Sequence, residues 1–185
     1  MAAPFDVPAA VAAMTLEEKC ACLAGEGYWG LGGCPRLGVA PITVSDGPHG
    51  LRRQAGSADN LGLAGSEPAV CFPTASAAAC SFDADLVRTM GEALGDEARE
   101  QGVAVVLGPG VNMKRSPLCG RNFEYYSEDP HLAGELAAAY IEGVQSRGVG
   151  TSLKHFACNN QETNRLIVDA VVDERALHEL YLEPF

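Results

Sequence analysis

The sequence predicts an α/β fold in which parallel strands alternate with helices. Three apolar runs of strand length, at residues 39–44, 103–107 and 149–153, are separated by segments with helical periodicity and helix-capping residues. This alternation produces a parallel sheet through right-handed crossovers. Each run leads into polar or turn-forming residues, and ligands of α/β proteins bind at the carboxyl ends of the strands.

The size and charge of the chain limit what it can do. Its 185 residues suffice for one domain with a sizeable core but fall short of the roughly 250 residues of a complete eight-unit α/β barrel. The formal net charge is −11, with 13 Lys and Arg against 24 Asp and Glu, which argues against a nucleic-acid partner. A neutral ligand fits this charge better than a polyanion does.

Seven cysteines, an odd number scattered through apolar or small-residue contexts, predict reduced buried thiols and a cytoplasmic location. Cys20 and Cys22 lack a second Cys or His pair, so no zinc site is predicted. Residues 1–14 form an N-terminal extension without a basic leader or a continuous apolar segment. We therefore expect neither a signal peptide nor a membrane span.

The first helix is predicted over residues 15–25, whose Thr-Leu-Glu-Glu start has the spacing of a capping box. The glycine-rich segment 25–38 is predicted to be a loop that leads into the first strand. A long surface loop, either a lid or an irregular segment, is predicted over 53–70, where the composition shows no periodicity. Near the end, a short extended piece at 167–172 precedes a last helix capped by Asp173.

Two longer helices are predicted between the strands. The first is capped by Asp83 and closed by Gly102, and the second is capped by Asp129, with a proline at its first position, and closed by Gly148. Their predicted apolar faces consist of Leu86, Met90, Leu94 and Ala98, and of Leu132, Leu136, Tyr140 and Val144.

Polar side chains stand at the strand exits. Asp46 follows the first strand and precedes Gly47 and Pro48, which cannot continue a strand and so hold the carboxylate at the rim of the sheet. Taken alone, the same residues also suit a plain solvated turn. The matching polar groups at later exits favour a binding site, and the predicted set is Asp46, Arg52, Arg121, Lys154, His155 and Arg165.

This mixture of side chains suits a carbohydrate, because a carboxylate accepts hydrogen bonds from vicinal hydroxyls while Arg, Lys and His donate. A phosphate site is expected to have the basic side chains without a carboxylate such as Asp46 beside them. Each residue also has a structural explanation; Arg121, for example, can simply pair with Glu124 or Glu128. A dinucleotide site is disfavoured, because residues 108–110 (Gly-Pro-Gly) lack a third glycine and include a proline without an amide.

Three motifs resemble glycoside hydrolase family 3 in their order and spacing. They are residues 46–52 (Asp-Gly-Pro-His-Gly-Leu-Arg), residues 120–130, which begin Gly-Arg-Asn-Phe-Glu, and residues 154–165, which begin Lys-His-Phe. Residues 172–175 are also similar. The resemblance covers the chain from about Met14 to Phe185.

The resemblance implies a β-glucosidase-like retaining enzyme that hydrolyses terminal non-reducing β-D-glucosyl or related residues. It implies that residues 1–185 are an incomplete N-terminal portion of a (β/α)8 TIM-type barrel domain, and that the six residues of the predicted set grip the glucosyl unit. It implies no metal and no organic cofactor. The branch that cleaves N-acetylglucosaminides is disfavoured, because Ala-Cys-Asn-Asn at 157–160 replaces its Pro-Gly-His-Gly type loop.

The family's nucleophilic Asp and acid/base Glu have no counterpart in the matching motifs and are expected beyond Phe185, so we expect the chain alone to hydrolyse little or nothing. Two alternatives stay open: a catalytically inactive carbohydrate-binding module, and an unrelated α/β barrel enzyme acting on phosphorylated sugars. The expected partner is a small-molecule β-glucoside or oligosaccharide, with no nucleic acid and no membrane. The uncovered edges of an incomplete barrel predict self-association.

Overall fold

The computed structural model describes residues 5–56 and 65–185, and these residues contain a five-stranded mixed sheet. The order of the strands across the sheet follows the chain. The first three strands pair antiparallel, and the third, fourth and fifth pair parallel. The strands are β1 (Gly25–Glu26), β2 (Gly30–Leu31), β3 (Ile42–Ser45), β4 (Val105–Val106) and β5 (Gly150–Thr151).

The parallel part of the sheet confirms the predicted alternation of strands and helices. Val105 at the centre pairs with Val44 of β3 on one side and with Gly150 of β5 on the other. The backbone pairing continues past the strand ends, since the Ser152 amide donates to the Val106 carbonyl at 2.9 Å. The three carboxyl ends therefore lie side by side at one edge of the sheet.

The first strand begins later than the predicted residue 39. Pro41 has no amide to donate, and Val39 pairs instead with Cys34, the two amides donating to the two carbonyls at 3.1 and 2.8 Å. The turn between them is the 3₁₀-helix Pro35–Leu37.

The prediction of a loop over residues 25–38 is wrong in part, because this segment contains the β1–β2 hairpin. β2 pairs with β3, and the Val44 amide donates to the Trp29 carbonyl at 2.9 Å. The backbone amides and carbonyls along the edge of β3 need hydrogen-bond partners, and the backbone of the glycine-rich segment supplies them. The segment lacks the alternation of apolar residues by which a strand is recognised in a sequence. This pairing adds two antiparallel strands to the predicted parallel sheet.

Three predicted helix starts are confirmed. Thr15 and Glu18 form a complete capping box, with the Glu18 amide 3.2 Å from the Thr15 hydroxyl and the Thr15 amide 2.9 Å from the Glu18 carboxylate. Asp83 and Asp129 each accept a hydrogen bond from the third residue of the following helix. The helices are α1 (Val7–Ala13), α2 (Leu16–Leu23), α3 (Ala75–Ala79), α4 (Ala84–Glu100), α5 (Pro130–Ser146) and α6 (Glu174–Ala176).

The long helices α4 and α5 pack through facing glycines. A Cβ on Gly143 would lie 2.3 Å from the Arg88 carbonyl oxygen, and Gly91 is buried in the same contact. This approach sets which face of α4 is covered, so the predicted stripe is wrong at Leu86, which is 46% exposed, while Val87 is 1% exposed. The core between the helices and the sheet includes Val87, Leu94, Val106, Val111, Met113, Leu136, Tyr140 and Val144.

Two further predictions concern irregular segments. Residues 57–64 of the predicted 53–70 loop lie outside the described residues, and Gln54 and Ser66 on either side of them form an antiparallel bridge. The extended piece predicted at 167–172 is not a strand. Ile167 in it is 83% exposed, so the described residues leave most of it uncovered.

The last helix is capped by Asp173 as predicted, but it changes form. α6 is a single turn and continues as the π-helical segment Leu177–Leu182. At the other end of the chain, the predicted extension contains α1, whose cap is Asp6.

All seven cysteines are free thiols. Cys34 and Cys119 are buried, whereas Cys20, Cys71 and Cys80 are exposed, so the prediction of buried thiols is wrong for these three. Among the residues that the structure describes, no helix has the length and apolarity needed to cross a membrane.

Candidate functional site

The loop after β3 presents Asp46 at the carboxyl edge of the sheet. Gly47 follows it with φ +106°, and a Cβ there would lie 1.9 Å from the Gly50 carbonyl oxygen, so only glycine fits this turn. The Arg52 amide donates to the Asp46 carbonyl at 3.0 Å, which closes the loop. The sequence-based reason for placing Asp46 at a rim, a strand stopped by glycine and proline, is therefore the reason that holds in the structure.

The exit of β5 is fixed against the exit of β4. The Lys154 amide donates to the Pro109 carbonyl at 2.9 Å, and the Val111 amide donates to the Lys154 carbonyl at 2.8 Å. The side chain of Asn112 then bonds both backbone groups of His155, accepting from its amide at 2.8 Å and donating to its carbonyl at 2.9 Å. Lys154 and His155 are thus held at defined positions beside the Asp46 loop.

The strand exits enclose a cavity of about 480 Å³. Five of the six residues of the predicted set line it, and the first and last of them are more than a hundred residues apart in the chain. His155 is the exception among the six: it contacts Arg121 from beside the cavity and does not line it. The lining residues of the predicted set are Asp46, Arg52, Arg121, Lys154 and Arg165.

A buried carboxylate links the cations of this cavity. Glu124 is 5% exposed and lies 2.5 Å from Nε of Arg121 and 3.4 Å from Nζ of Lys154. The same Lys154 nitrogen lies 3.1 Å from Oδ1 of Asp46. The pairing of Arg121 with Glu124 was one structural explanation open from the sequence, but the link from Glu124 to Lys154 was missed.

A second carboxylate, Glu162, holds the outer part of the site. It lies 3.9 Å from Nε of Arg121 and 3.4 Å from Nη1 of Arg165, and it accepts a hydrogen bond from Asn159 at 2.9 Å. Asn159 also donates to the Tyr125 hydroxyl at 2.9 Å. Glu162 and Asn159 lie within a motif that pointed to the family, yet their spacing gave no signal of these contacts.

His155 is a neutral imidazole in this network. Burial, together with the positive charges of Arg121 and Lys154, lowers the pKa of His155 to about 4. Its Nε2 lies 2.6 Å from Nη2 of Arg121, and because a guanidinium only donates, Nε2 is the acceptor. Nδ1 therefore carries the proton and donates to the Tyr125 hydroxyl, 3.1 Å away. Burial raises the pKa of Tyr125 to about 12, so the phenol stays protonated.

The cavity places cationic hydrogen-bond donors and carboxylate acceptors within a few ångströms of each other. In the described residues no group of three or more His, Cys, Asp and Glu side chains could hold a metal ion. Each carboxylate at the cavity lies within 4 Å of a cation, and these contacts orient both partners. Such a site can bind a neutral polyol through several charge-assisted hydrogen bonds at once.

Comparison with known proteins gives a consistent result. Residues 58–185 match the model of the glycosyl hydrolase family 3 N-terminal domain. The chain is 53% identical to thermostable beta-glucosidase B of Acetivibrio thermocellus over 97% of its length and 24% of the relative's. It is also 53% identical to an exo-alpha-(1->6)-L-arabinopyranosidase of Bifidobacterium longum, covering 93% of this chain and 23% of that protein.

Solved structures agree with the sequence relatives. Beta-glucosidase 3B from Thermotoga neapolitana in complex with glucose matches with a TM-score of 0.88 at 41% identity, over 96% of this chain and 27% of that one. Beta-glucosidase from Kluyveromyces marxianus in complex with glucose matches with a TM-score of 0.91 at 39% identity, over 98% and 21%. The chain thus spans about a quarter of the length of these relatives. On this match of family model, sequence and fold, the chain belongs to glycosyl hydrolase family 3, as part of its N-terminal domain.

Proposed function

We propose that this chain supplies the sugar-binding residues of a glycoside hydrolase that acts on terminal non-reducing β-D-glucosyl or related residues. One observation carries the proposal: Asp46, Arg121 and Lys154, from three different strand exits, line one cavity. Lys154 and Asp46 are 3.1 Å apart, close enough to bond neighbouring hydroxyls of a single pyranose ring.

The chemistry of the cavity suits a sugar hydroxyl array. The Asp46 carboxylate is 36% exposed and has acceptor capacity left after its contact with Lys154. Arg52 and Arg165 add donors from the loop after β3 and from the segment after β5. His155 belongs to the proposed set through Arg121, whose guanidinium it holds from the side. Charge-assisted bonds of this kind are about twice as strong as neutral ones.

For catalysis we propose that the two reacting carboxylates come from polypeptide beyond Phe185. A retaining glycosidase needs a nucleophile and an acid/base roughly 5 Å apart, one of them free to attack and one able to donate a proton. Asp46, Glu124 and Glu162 instead each face a cation, which suits a role in binding. Residues 1–185 would then be the first part of a (β/α)8-type barrel domain, and this chain alone would hydrolyse little or nothing.

The proposal is tested by binding and by turnover. We expect isothermal titration to detect glucose binding to the 185-residue chain, and Asp46→Asn to weaken it at least about tenfold, the loss of one charge-assisted contact. The matched control is Asp96→Asn, which changes an exposed acid on α4 far from the cavity. Unchanged binding in Asp46→Asn would contradict the proposal.

Turnover is measured in a hybrid enzyme in which this chain replaces the matching quarter of the Acetivibrio thermocellus relative. We expect hydrolysis of an aryl β-D-glucoside by the hybrid and none by the chain alone. Parallel assays with β-D-xyloside and α-L-arabinopyranoside substrates identify the preferred sugar. Glucose binding without turnover in a folded hybrid would favour a binding module, while inhibition by inorganic phosphate together with tolerance of Asp46→Asn would favour phosphorylated sugars.

The free thiols support a cytoplasmic location, because exposed reduced cysteines such as Cys71 and Cys80 persist in a reducing compartment. The open sheet and the exposed Leu166 and Val171, which are 89% and 87% accessible, favour self-association of the isolated chain. Sedimentation velocity of the isolated chain tests this expectation, and a monomer at all concentrations would contradict it.

A further inference from the structure

Phe123 is a large apolar side chain in a cavity that charged side chains line. It is 50% exposed, although the three residues that follow it, Glu124, Tyr125 and Tyr126, are all buried. Among the described residues that line the cavity, it is the single phenyl ring. An exposed phenyl ring that lines a cavity is available to contact a ligand bound there.

The backbone under Phe123 is firmly held. The 3₁₀-helix Asn122–Glu124 carries it, and the ion pair between Arg121 and Glu124 joins the residues on either side. The Asn122 carbonyl accepts from the Ser76 hydroxyl at 2.9 Å, and the Asn122 amide group donates to the Ser116 carbonyl at 2.8 Å. The ring is therefore presented from a fixed base and has only two side-chain torsions to order when a ligand contacts it.

A second ring fixes the orientation of the first. The imidazole of His49 meets Phe123 edge to face, with ring centroids 5.6 Å apart and planes at 89°. His49 lies in the loop after β3 that carries Asp46, so the two rings join the Asp46 loop to the Arg121 segment. Burial lowers the pKa of His49, so the imidazole is neutral at neutral pH and adds little charge beside the phenyl ring.

The exposed fractions of the lining residues show which of them lie deep in the cavity and which lie near its mouth. The side chains of Lys154 and Arg121 are 14% and 21% exposed, and Glu124 is more buried still, so these three charges lie deepest, whereas the Arg165 side chain is 58% exposed at the rim. Phe123, at 50%, lies nearer to solvent. A terminal sugar held by the charges leaves the group on its anomeric oxygen at the mouth, where an apolar surface can contact it.

We propose that Phe123, oriented by His49, is a stacking subsite for the leaving group of the substrate, taking the C–H face of a second sugar ring or the face of an aryl group. The inference rests on the proposed function, because it needs the terminal sugar at the charged end of the cavity. Pyranose rings and aryl groups share the flat apolar face that an aromatic ring recognises.

The test uses the hybrid enzyme with Phe123→Ala, Phe123→Tyr and, as the matched control, Phe82→Ala, which removes a 75% exposed phenyl ring outside the cavity. We expect Phe123→Ala to lower kcat/KM for an aryl β-glucoside about fivefold, the usual contribution of one aromatic contact. Methyl β-glucoside turnover and the inhibition constant of glucose should change less than about twofold. Phe123→Tyr, which keeps the ring, should retain wild-type selectivity.

The outcomes separate the two proposals. An equal loss for aryl glucoside, methyl glucoside and glucose would overturn the subsite, because Phe123 would then act on the terminal sugar or on the fold. No change for any of the three would also overturn it. A wild-type hybrid that is folded but binds no glucose would instead refute the proposed function. If the hybrid does not fold, weaker binding of phenyl β-glucoside but not of glucose to the Phe123→Ala chain gives the same comparison.

Discussion

Glu124 is the buried carboxylate between the two cations of the site, and replacing it tests how they are held. Its carboxylate lies 2.5 Å from Arg121 and 3.4 Å from Lys154, and the residue is 5% exposed. Glu124→Gln keeps the shape and one acceptor oxygen but removes the charge between two cations. Removing one partner of a buried ion pair costs about 3–5 kcal/mol.

The cost should be smaller here, because both cations keep another carboxylate. Lys154 retains Asp46 at 3.1 Å, and Arg121 retains Glu162 at 3.9 Å. We therefore expect a loss of about 2 kcal/mol in the free energy of unfolding, which is roughly 4–8 °C in Tm for a chain of this size. Glucose affinity should fall about tenfold, since neither cation is held at its present position.

The assays are thermal unfolding by circular dichroism and glucose titration. The matched control is Glu92→Gln, because Glu92 also pairs with an arginine, Arg147 at 2.8 Å, but on the outside of the α4–α5 pair with 35% exposure. An exposed pair of this kind contributes at most about 1 kcal/mol and should leave glucose affinity unchanged. Equal stability and equal glucose affinity in Glu124→Gln and the wild type would show that the Glu124 charge does not hold the two cations in place.

Three further predictions follow from individual contacts. The pKa of histidine is about 6.5 in the unfolded chain, whereas that of His155 in the folded chain is about 4. The free energy of unfolding should therefore fall as the pH drops from 6.5 towards 4, because the unfolded state binds the proton first. Urea midpoints measured across this range should fall less steeply in His155→Gln. Gly47→Ala should destabilise by more than about 2 kcal/mol and weaken glucose binding, because its Cβ would meet the Gly50 carbonyl. Gly143→Ala should destabilise by a similar amount, about 2 kcal/mol, by separating α4 from α5, but leave the affinity per folded molecule unchanged. A flat pH profile, or a wild-type urea midpoint in either alanine variant, would contradict these expectations.

The helix starts could be predicted because their chemistry is local. Thr15 caps a residue three positions away, and Asp83 and Asp129 do the same, so the signal lies within one turn of sequence. The β1–β2 hairpin could not be predicted in this way, because it depends on the backbone of β3 rather than on apolar alternation. The covered face of α4 also depended on α5, through the contact between Gly91 and Gly143.

In the site, too, local features could be predicted from the sequence and long-range contacts could not. Asp46 and Lys154 could be placed at one edge because each follows an apolar strand, and parallel strands end together. Glu124 and Arg121 are three residues apart, which made their pairing an option from the sequence alone. The contact of Glu124 with Lys154 spans 30 positions and is created only when the segment after β4 folds over the exit of β5. Long-range contacts of this kind carry no signal in a single sequence.

The central claim is that side chains from three strand exits hold one pyranose ring. A crystal structure of the hybrid enzyme soaked with glucose tests it most directly. We expect a glucose in the cavity with hydroxyls within hydrogen-bonding distance of the Asp46 carboxylate and the Lys154 ammonium group, and with Arg121 in contact with the same ring. A glucose bound elsewhere, with these three side chains still paired only with each other and with Glu124, would contradict it.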